Sequence, residues 1–415
     1  MTLPLMYKVR QQMPRPRLEN IAQTVTSELE SGQFWAKLKP GARIAVTAGS
    51  RGIANIELIL KTVVKVLQEK GAQPFILAAM GSHGGGTAAG QLKVLKSLGI
   101  TESSMGVPVQ ATTEANELGS IQEGVLVYQN KLAADSDGIV VINRVKPHTS
   151  FQGKVESGLF KMLVVGLGNV AGATAIHNLG IQGLENYLLP LGQLIIKQTP
   201  VLFGLGIVEN GFEETAYIKG FEPAELASGE GKLLQKAKEL HSYLPFDQVD
   251  LLVVEEMGKV FSGTGMDTKV IGRLRIHDQP EPKKPQIKRI VVLDLVKESH
   301  GNANGIGLAD FTTKQLVDKI DFKTTYTNVL TATFIQRAMI PMYFPTAKEA
   351  LEAALQSLSL KPESARIVRI KNTLQLENIF ISQNLLNEAK NNPALEIIGQ
   401  GQNFGFHKNI PTPKW

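Results

Sequence analysis

The sequence contains no cysteine, and that one absence removes disulfides, thiolate nucleophiles, iron–sulfur clusters and thiolate zinc sites together. Any metal has to be held by nitrogen or oxygen. Aromatic residues make up 6% of the chain, a thin supply for the stacking platforms that grip single-stranded nucleic acid. No run of about 18 apolar residues is present to span a bilayer, and Met1–Arg10 lacks the charged-then-apolar profile of a secretory signal. The expected setting is therefore the cytoplasm, with neither a membrane nor a nucleic-acid partner. Charge of one sign is scarce as well. Forty-four Lys and Arg against 38 Asp and Glu give a formal +6 over 415 residues, a mild excess that suits a small anionic substrate and plain solubility alike. The one dense basic stretch, Lys283 to Arg289, reads as a solvated connector.

What is present is an ordinary globular composition, 43% hydrophobic with 39 glycines, in a chain longer than one hydrophobic core organises. Short Val/Ile/Leu-rich runs, each ending in a glycine or polar cluster and followed by a helical pattern, read as buried parallel strands in βα units. Arg43–Thr47, Pro74–Ala79, Gly138–Ile142 and Val201–Val208 are the first four, with helices near Asn55–Lys70 and Thr87–Leu98. A fresh start at Val249–Val254 follows Pro245-Phe246, and Ile290–Leu295, Ile367–Ile370 and Ile379–Ile381 continue it, with helices at Thr312–Ile320 and Ala347–Leu358. The expected fold class is α/β: two α/β domains with mostly parallel sheets and an active-site cleft between them. The boundaries predicted are 1–245 and 246–385, with residues 386–415 a tail packing back on the first domain.

Ligands of open parallel sheets bind beyond the carboxyl ends of the strands. Arg51, His83 and His148 each lie just past such an end, in three different units. His83 sits in Gly81-Ser82-His83-Gly84-Gly85-Gly86, where glycines allow close backbone approach and a helix N-terminus follows to receive an anion. Ser82, Gly84 and Gly85 are thus candidates to cradle a cofactor, although the loop is neither a P-loop nor a good dinucleotide fingerprint. His148 follows Pro147, and two imidazoles on converging loops can each take or give a proton near neutral pH. Arg51 suits bidentate binding of a carboxylate or phosphate. Lys161 opens a strongly apolar run, where a lysine is either desolvated and nucleophilic or merely snorkelling. His177 follows in Ala175-Ile176-His177 and by itself reads as a buried structural histidine as readily as a ligand. In the second domain, Lys259, Lys269 and Arg273 stand in a glycine-punctuated loop as candidate substrate contacts.

Taken together, Ala48-Gly49-Ser50-Arg51, Gly81-Ser82-His83, Lys146-Pro147-His148 and the Lys161…His177 spacing resemble the lactate racemase family over the N-terminal two-thirds of the chain. The resemblance implies a nickel-pincer nucleotide, tethered covalently through Lys161, with His177 as the nickel ligand. It also implies His83 and His148 as the acid/base pair, Arg51 at the anionic substrate, and partner enzymes that make the cofactor. Imidazole is a suitable nickel ligand, and the pincer's sulfurs belong to the cofactor, so the missing cysteines are no obstacle. The implied activity is racemisation or epimerisation of a 2-hydroxy acid. Two departures point away from lactate as the substrate. The stretch Thr149–Phe160 is longer than in the lactate-specific members and lacks their Gly-Gly-Arg-Lys ending, and Ser50 stands where they carry an acidic residue ahead of the arginine. A lyase, dehydratase or dehydrogenase using the same site, and a ligand-binding homologue without catalysis, are the alternatives the residues leave open.

Overall fold

The computed structural model describes residues 3–121, 124–407 and 409–415. The chain divides into two compact units, Arg15–His241 and a second formed by Met1–Pro14 with Ser242–Trp415.

In Arg15–His241 a six-stranded sheet runs Val109–Gln110, Gln73–Ala78, Arg43–Ala48, Gly138–Arg144, Val201–Glu209, Thr215–Phe221. Its neighbours are parallel except the last pair, which is antiparallel. The central strands are buried on both faces, with Ile44, Val46, Ile76, Val140 and Leu205 all at 0% exposure, which is why they read as continuous apolar runs instead of alternating ones. Each such side chain contributes about 1.5–3 kcal/mol on burial. Helix Ile56–Glu69 turns Ile59, Leu60, Val63 and Leu67 onto this core. The strand order reverses between Arg43–Ala48 and Gly138–Arg144. A crevice opens where the loops leave in opposite directions, so the loops carrying Arg51 and His148 flank the switch point.

The second unit holds an eight-stranded mixed sheet, in the order Met342–Phe344, Phe311–Thr313, Gln286–Leu295, Gln248–Met257, Ile367–Ile370, Asn378–Ser382, Leu5–Gln11, Leu395–Asn403. The first five are parallel and the last three antiparallel. Here the expected domain limits need correction. Leu5–Gln11 is a strand of this sheet, paired on both sides, and the tail strand Leu395–Asn403 pairs with it, so residues 1–14 and 386–415 both belong to the second unit. Neither segment carries a long apolar run; in Leu5–Gln11 only Met6 and Val9 are buried, each in a different core cluster. The expected helix Thr312–Ile320 is also split. The β-branched pair Thr312-Thr313 finishes the strand Phe311–Thr313, and the Thr313 hydroxyl then accepts from Leu316 N–H to cap a short helix, Lys314–Val317. No single helix among the described residues is long and apolar enough to cross a membrane.

Candidate active site

Two hydrogen bonds gather the loops of the Arg15–His241 unit. Ser50 Oγ lies 2.6 Å from His83 Nδ1, joining the loops after strands Arg43–Ala48 and Gln73–Ala78. Gly81 N–H donates to Gly166 O at 3.2 Å. Gly81 sits at φ +59°, and a Cβ there would stand 2.9 Å from Val165 O, so only glycine lets the His83 loop lie against the Met162–Gly166 turn. That turn is a single π-type widening, with Leu167 N–H reaching back to Met162 O at 2.8 Å, and such insertions gather at functional sites. It directly follows Lys161.

His148 is held from three directions. Its backbone N–H donates to Glu156 Oε2 at 2.7 Å, its ring packs 4.4 Å from Phe151, and its Nδ1 accepts from Ser150 N–H at 3.1 Å. With Nδ1 accepting, the neutral ring carries its proton on Nε2. Lys161 Nζ is 2.7 Å from that Nε2. An ammonium has no lone pair to receive Nε2–H, so this contact is a hydrogen bond to a neutral amine. The electrostatics agree: desolvation first, then the charges of Arg51 and Lys146, lower the Lys161 pKa to about 7. The residue as a whole is partly exposed, but it is the packed surroundings of Nζ that govern its charge.

His177 ends the helix Asn169–His177. Burial, with the Lys161 charge second, lowers its pKa to about 4, so at neutral pH it presents an unprotonated nitrogen, the form that binds metal. The helix is aimed by Asn169, a buried residue at φ +52° whose side chain donates to Thr112 O at 3.0 Å and Glu114 O at 2.9 Å. Asparagine tolerates that left-handed backbone, and the chain bends by 107° between Leu159–Gly166 and Asn169–His177. Arg51 is exposed as a residue, yet its guanidinium lies among packed atoms; that desolvation, then the charge of Arg144, lowers its pKa from the ordinary value. Its loop is anchored by Ala54 N–H on Glu209 (2.7 Å), and Glu209 also pairs with Arg144. Ser82, Gly84 and Gly85 lie in the His83 loop, with Gly84, Gly85 and Gly86 all at positive φ and Thr87 capping the helix Ala88–Ser97.

Lys259, Lys269 and Arg273 belong to the other unit and are engaged there. Lys259 Nζ donates to Gly263 O and Asn328 Oδ1, both at 2.6 Å. Lys269 lies in the short helix Thr268–Ile271, capped by Asp267. Arg273 is a strut, its guanidinium taken up by Asp310 at 2.7 Å, Leu308 O at 3.0 Å and Ile287 O at 3.1 Å.

Sequence reasoning missed Glu156, Glu230 and Lys238. Glu156 is fully buried and pairs with Lys238 at 2.8 Å. Glu230, also fully buried, accepts Phe160 N–H at 2.8 Å, at the start of the turn that carries Lys161. The available signal lay in Leu226–Glu239, where Glu230 falls on the apolar stripe of Leu226, Leu233, Leu234 and Ala237.

For a metal, the protein offers His177. Among the described residues no group of three or more His, Asp or Glu side chains is arranged to hold a metal ion, and a metal at His177 would take further ligands from water or a cofactor. Lys161 and His177 lie near enough for a charge on one to lower the pKa of the other, and an amine and an imidazole so placed could hold such a ligand-bearing cofactor.

Comparison with known proteins bears on the domain and the fold. Residues 7–185 match the lactate racemase N-terminal domain. The lactate racemase apoprotein from Thermoanaerobacterium thermosaccharolyticum superposes with a TM-score of 0.54 at 14% identity, over 88% of this chain and 98% of that one, a likeness of fold. No curated protein matches the sequence significantly. The chain is thus similar to the lactate racemase N-terminal domain over residues 7–185 and shares the fold of that apoprotein.

Proposed function

We propose that the chain is an isomerase that racemises or epimerises a small 2-hydroxy carboxylic acid other than lactate, with a nickel-pincer nucleotide joined to Lys161 and its nickel bound by His177. The observation that carries the reading is the 2.7 Å contact of a neutral Lys161 amine with His148, because a lysine has to be uncharged to form a covalent bond at neutral pH. When bound, the nucleotide would supply a reversible acceptor for the hydrogen on the substrate's α-carbon. The protein's own groups do the rest.

Arg51 binds the substrate carboxylate in bidentate fashion, and the cationic surroundings of Arg51 and Lys146 favour an anion there. Ser50 accepts Nδ1–H of His83, which leaves the Nε2 lone pair to take the hydroxyl proton. His148, on the other side of the pair and protonated to the imidazolium once Lys161 is consumed, returns a proton through Nε2, and proton exchange with water resets both rings. Ser82, Gly84 and Gly85 offer backbone N–H groups to the nucleotide's phosphate.

The test is intact mass and metal content of protein made alongside the cofactor-synthesis enzymes. The reading expects a mass increment that survives denaturation, lost in Lys161→Ala, and retained in His177→Ala while nickel falls away. A Lys161→Ala protein that still carries nucleotide after denaturation would overturn it.

A further inference from the structure

The 2.7 Å contact between Lys161 and His148 closes a loop excursion whose two arms pair once at its base, Lys146 with Ser157 through backbone hydrogen bonds of 2.7 and 3.2 Å. Lys161 begins the π-type turn, and His148 lies 13 residues earlier on a loop that leaves the sheet after Gly138–Arg144. Beyond that bridge, both are tied to one helix, Leu226–Glu239. From it Lys238 reaches Glu156 Oε1 at 2.8 Å, and the other oxygen of Glu156 takes the His148 backbone N–H at 2.7 Å. From it also Glu230 takes Phe160 N–H, one residue before Lys161. Glu230 and Lys238 are eight residues apart, about 12 Å along one face of the helix.

An ion pair with a fully buried carboxylate and a half-buried lysine is a poor way to stabilise a fold, since apolar residues of similar volume commonly do as well or better. What such a pair does supply is a fixed direction, and here the direction is that of the backbone carrying His148. Gly153 N–H adds a longer contact to Glu156 Oε1 at 3.4 Å, so the carboxylate grips both ends of the His148–Gly153 loop. A neighbouring constraint acts on the Lys161 side: a Cβ on Gly158 would stand 2.3 Å from Glu230 Oε1, so the helix and the Lys161 turn pack without room to shift.

We propose that Glu156, held by Lys238, is the positioning residue that sets the His148–Lys161 contact, with Glu230 on the same helix fixing the Lys161 side. It rests on the reading of that contact as the reactive pair, and it acts through His148, not on substrate.

The experiment uses the protein free of cofactor, so its outcome is separate from whether the chain proves to be a racemase. Lys161 acylation by acetic anhydride at neutral pH is quantified by peptide mass, and the His148 tautomer is read by nitrogen NMR of its imidazole. The variant Glu156→Leu/Lys238→Met replaces the ion pair by an apolar one. Expected is a folded protein in which the Nε2–H signature of His148 is lost and Lys161 acylation slows about tenfold or more, the factor carried by one pKa unit. Glu156→Gln, which keeps an acceptor for His148 N–H, restores both. A folded apolar variant that keeps the signature and the acylation rate overturns the proposal. Should that variant not fold, hydrogen exchange at the His148 amide of the unaltered protein decides. Protection of about tenfold or more over an open loop amide is expected from a bond to buried Glu156, and free exchange overturns the proposal.

Discussion

The unit Arg15–His241 places Arg51, Lys146 and Lys161 near enough for their charges to depress the lysine's pKa, whereas the other unit gives its cations partners at once. There Arg273 and Arg275 share Asp310 at 2.7 and 2.6 Å, Lys319 meets Asp294 at 2.6 Å and Lys371 meets Glu256 at 2.7 Å. Both units are built on parallel strands whose order reverses near the middle, so topology alone does not tell them apart. The difference lies in what the loops do with charge. Desolvated like charges repel, and an anion relieves that cost; a paired cation has no such demand. On the proposed function the chemistry therefore falls to the first unit, while these cations of the second unit are engaged in its own ion pairs.

His83→Ala breaks this contrast most strongly. In cofactor-loaded protein, removing a positioned acid/base group lowers turnover by about 10²–10⁴-fold, measured as loss of optical activity from a single enantiomer. Arg51→Ala comes next: losing a charge-assisted bidentate contact raises KM about 10–100-fold, with kcat changed less, in steady-state kinetics. Arg273→Gln in the second unit should do the converse. It leaves Asp310 without one partner and costs about 1–3 kcal/mol of stability in urea unfolding, while KM stays unchanged. If Arg273→Gln raised KM as Arg51→Ala does, the division of labour between the units would be wrong.

The smallest effect is a slope. Burial raises the Glu230 carboxyl from its ordinary 4.5 to about 7, against the opposing pull of the Phe160 and Leu159 N–H groups. Between those values the folded chain keeps a proton that the unfolded chain releases. This group's contribution to stability is thus complete below the ordinary carboxylate range and is lost as pH rises through about 7, at no more than about 1.4 kcal/mol per pH unit. Glu230→Gln should flatten that part of the stability–pH curve. An unchanged curve would place the proton elsewhere.

The sequence made the loop residues legible because their strands are buried on both faces. Arg43–Ala48, Gln73–Ala78 and Gly138–Arg144 read as apolar runs, and the residues after them had to emerge at one edge. The strand Leu5–Gln11 was hidden for the opposite reason. Its partners, Asn378–Ser382 and Leu395–Asn403, lie hundreds of residues away, and its side chains are mostly half-buried. Glu156 was hidden in the same manner, since its ammonium partner Lys238 is far along the chain and a glutamate in a polar loop looks solvated until the packing is seen. The glycine cluster announced itself, but why Gly81 has to be glycine became clear only from Val165 O beside it.

The central claim is that this site interconverts the two configurations of a 2-hydroxy acid without releasing the α-hydrogen to water. Cofactor-loaded protein is incubated in deuterated water with single enantiomers from a panel of 2-hydroxy acids longer or more hydroxylated than lactate, and optical activity and mass are followed together. The account predicts that at least one acid loses its optical activity while its α-carbon keeps protium. Racemisation with deuterium entering at that carbon, or no loss of optical activity from any acid by protein shown to carry nickel and nucleotide, would contradict it.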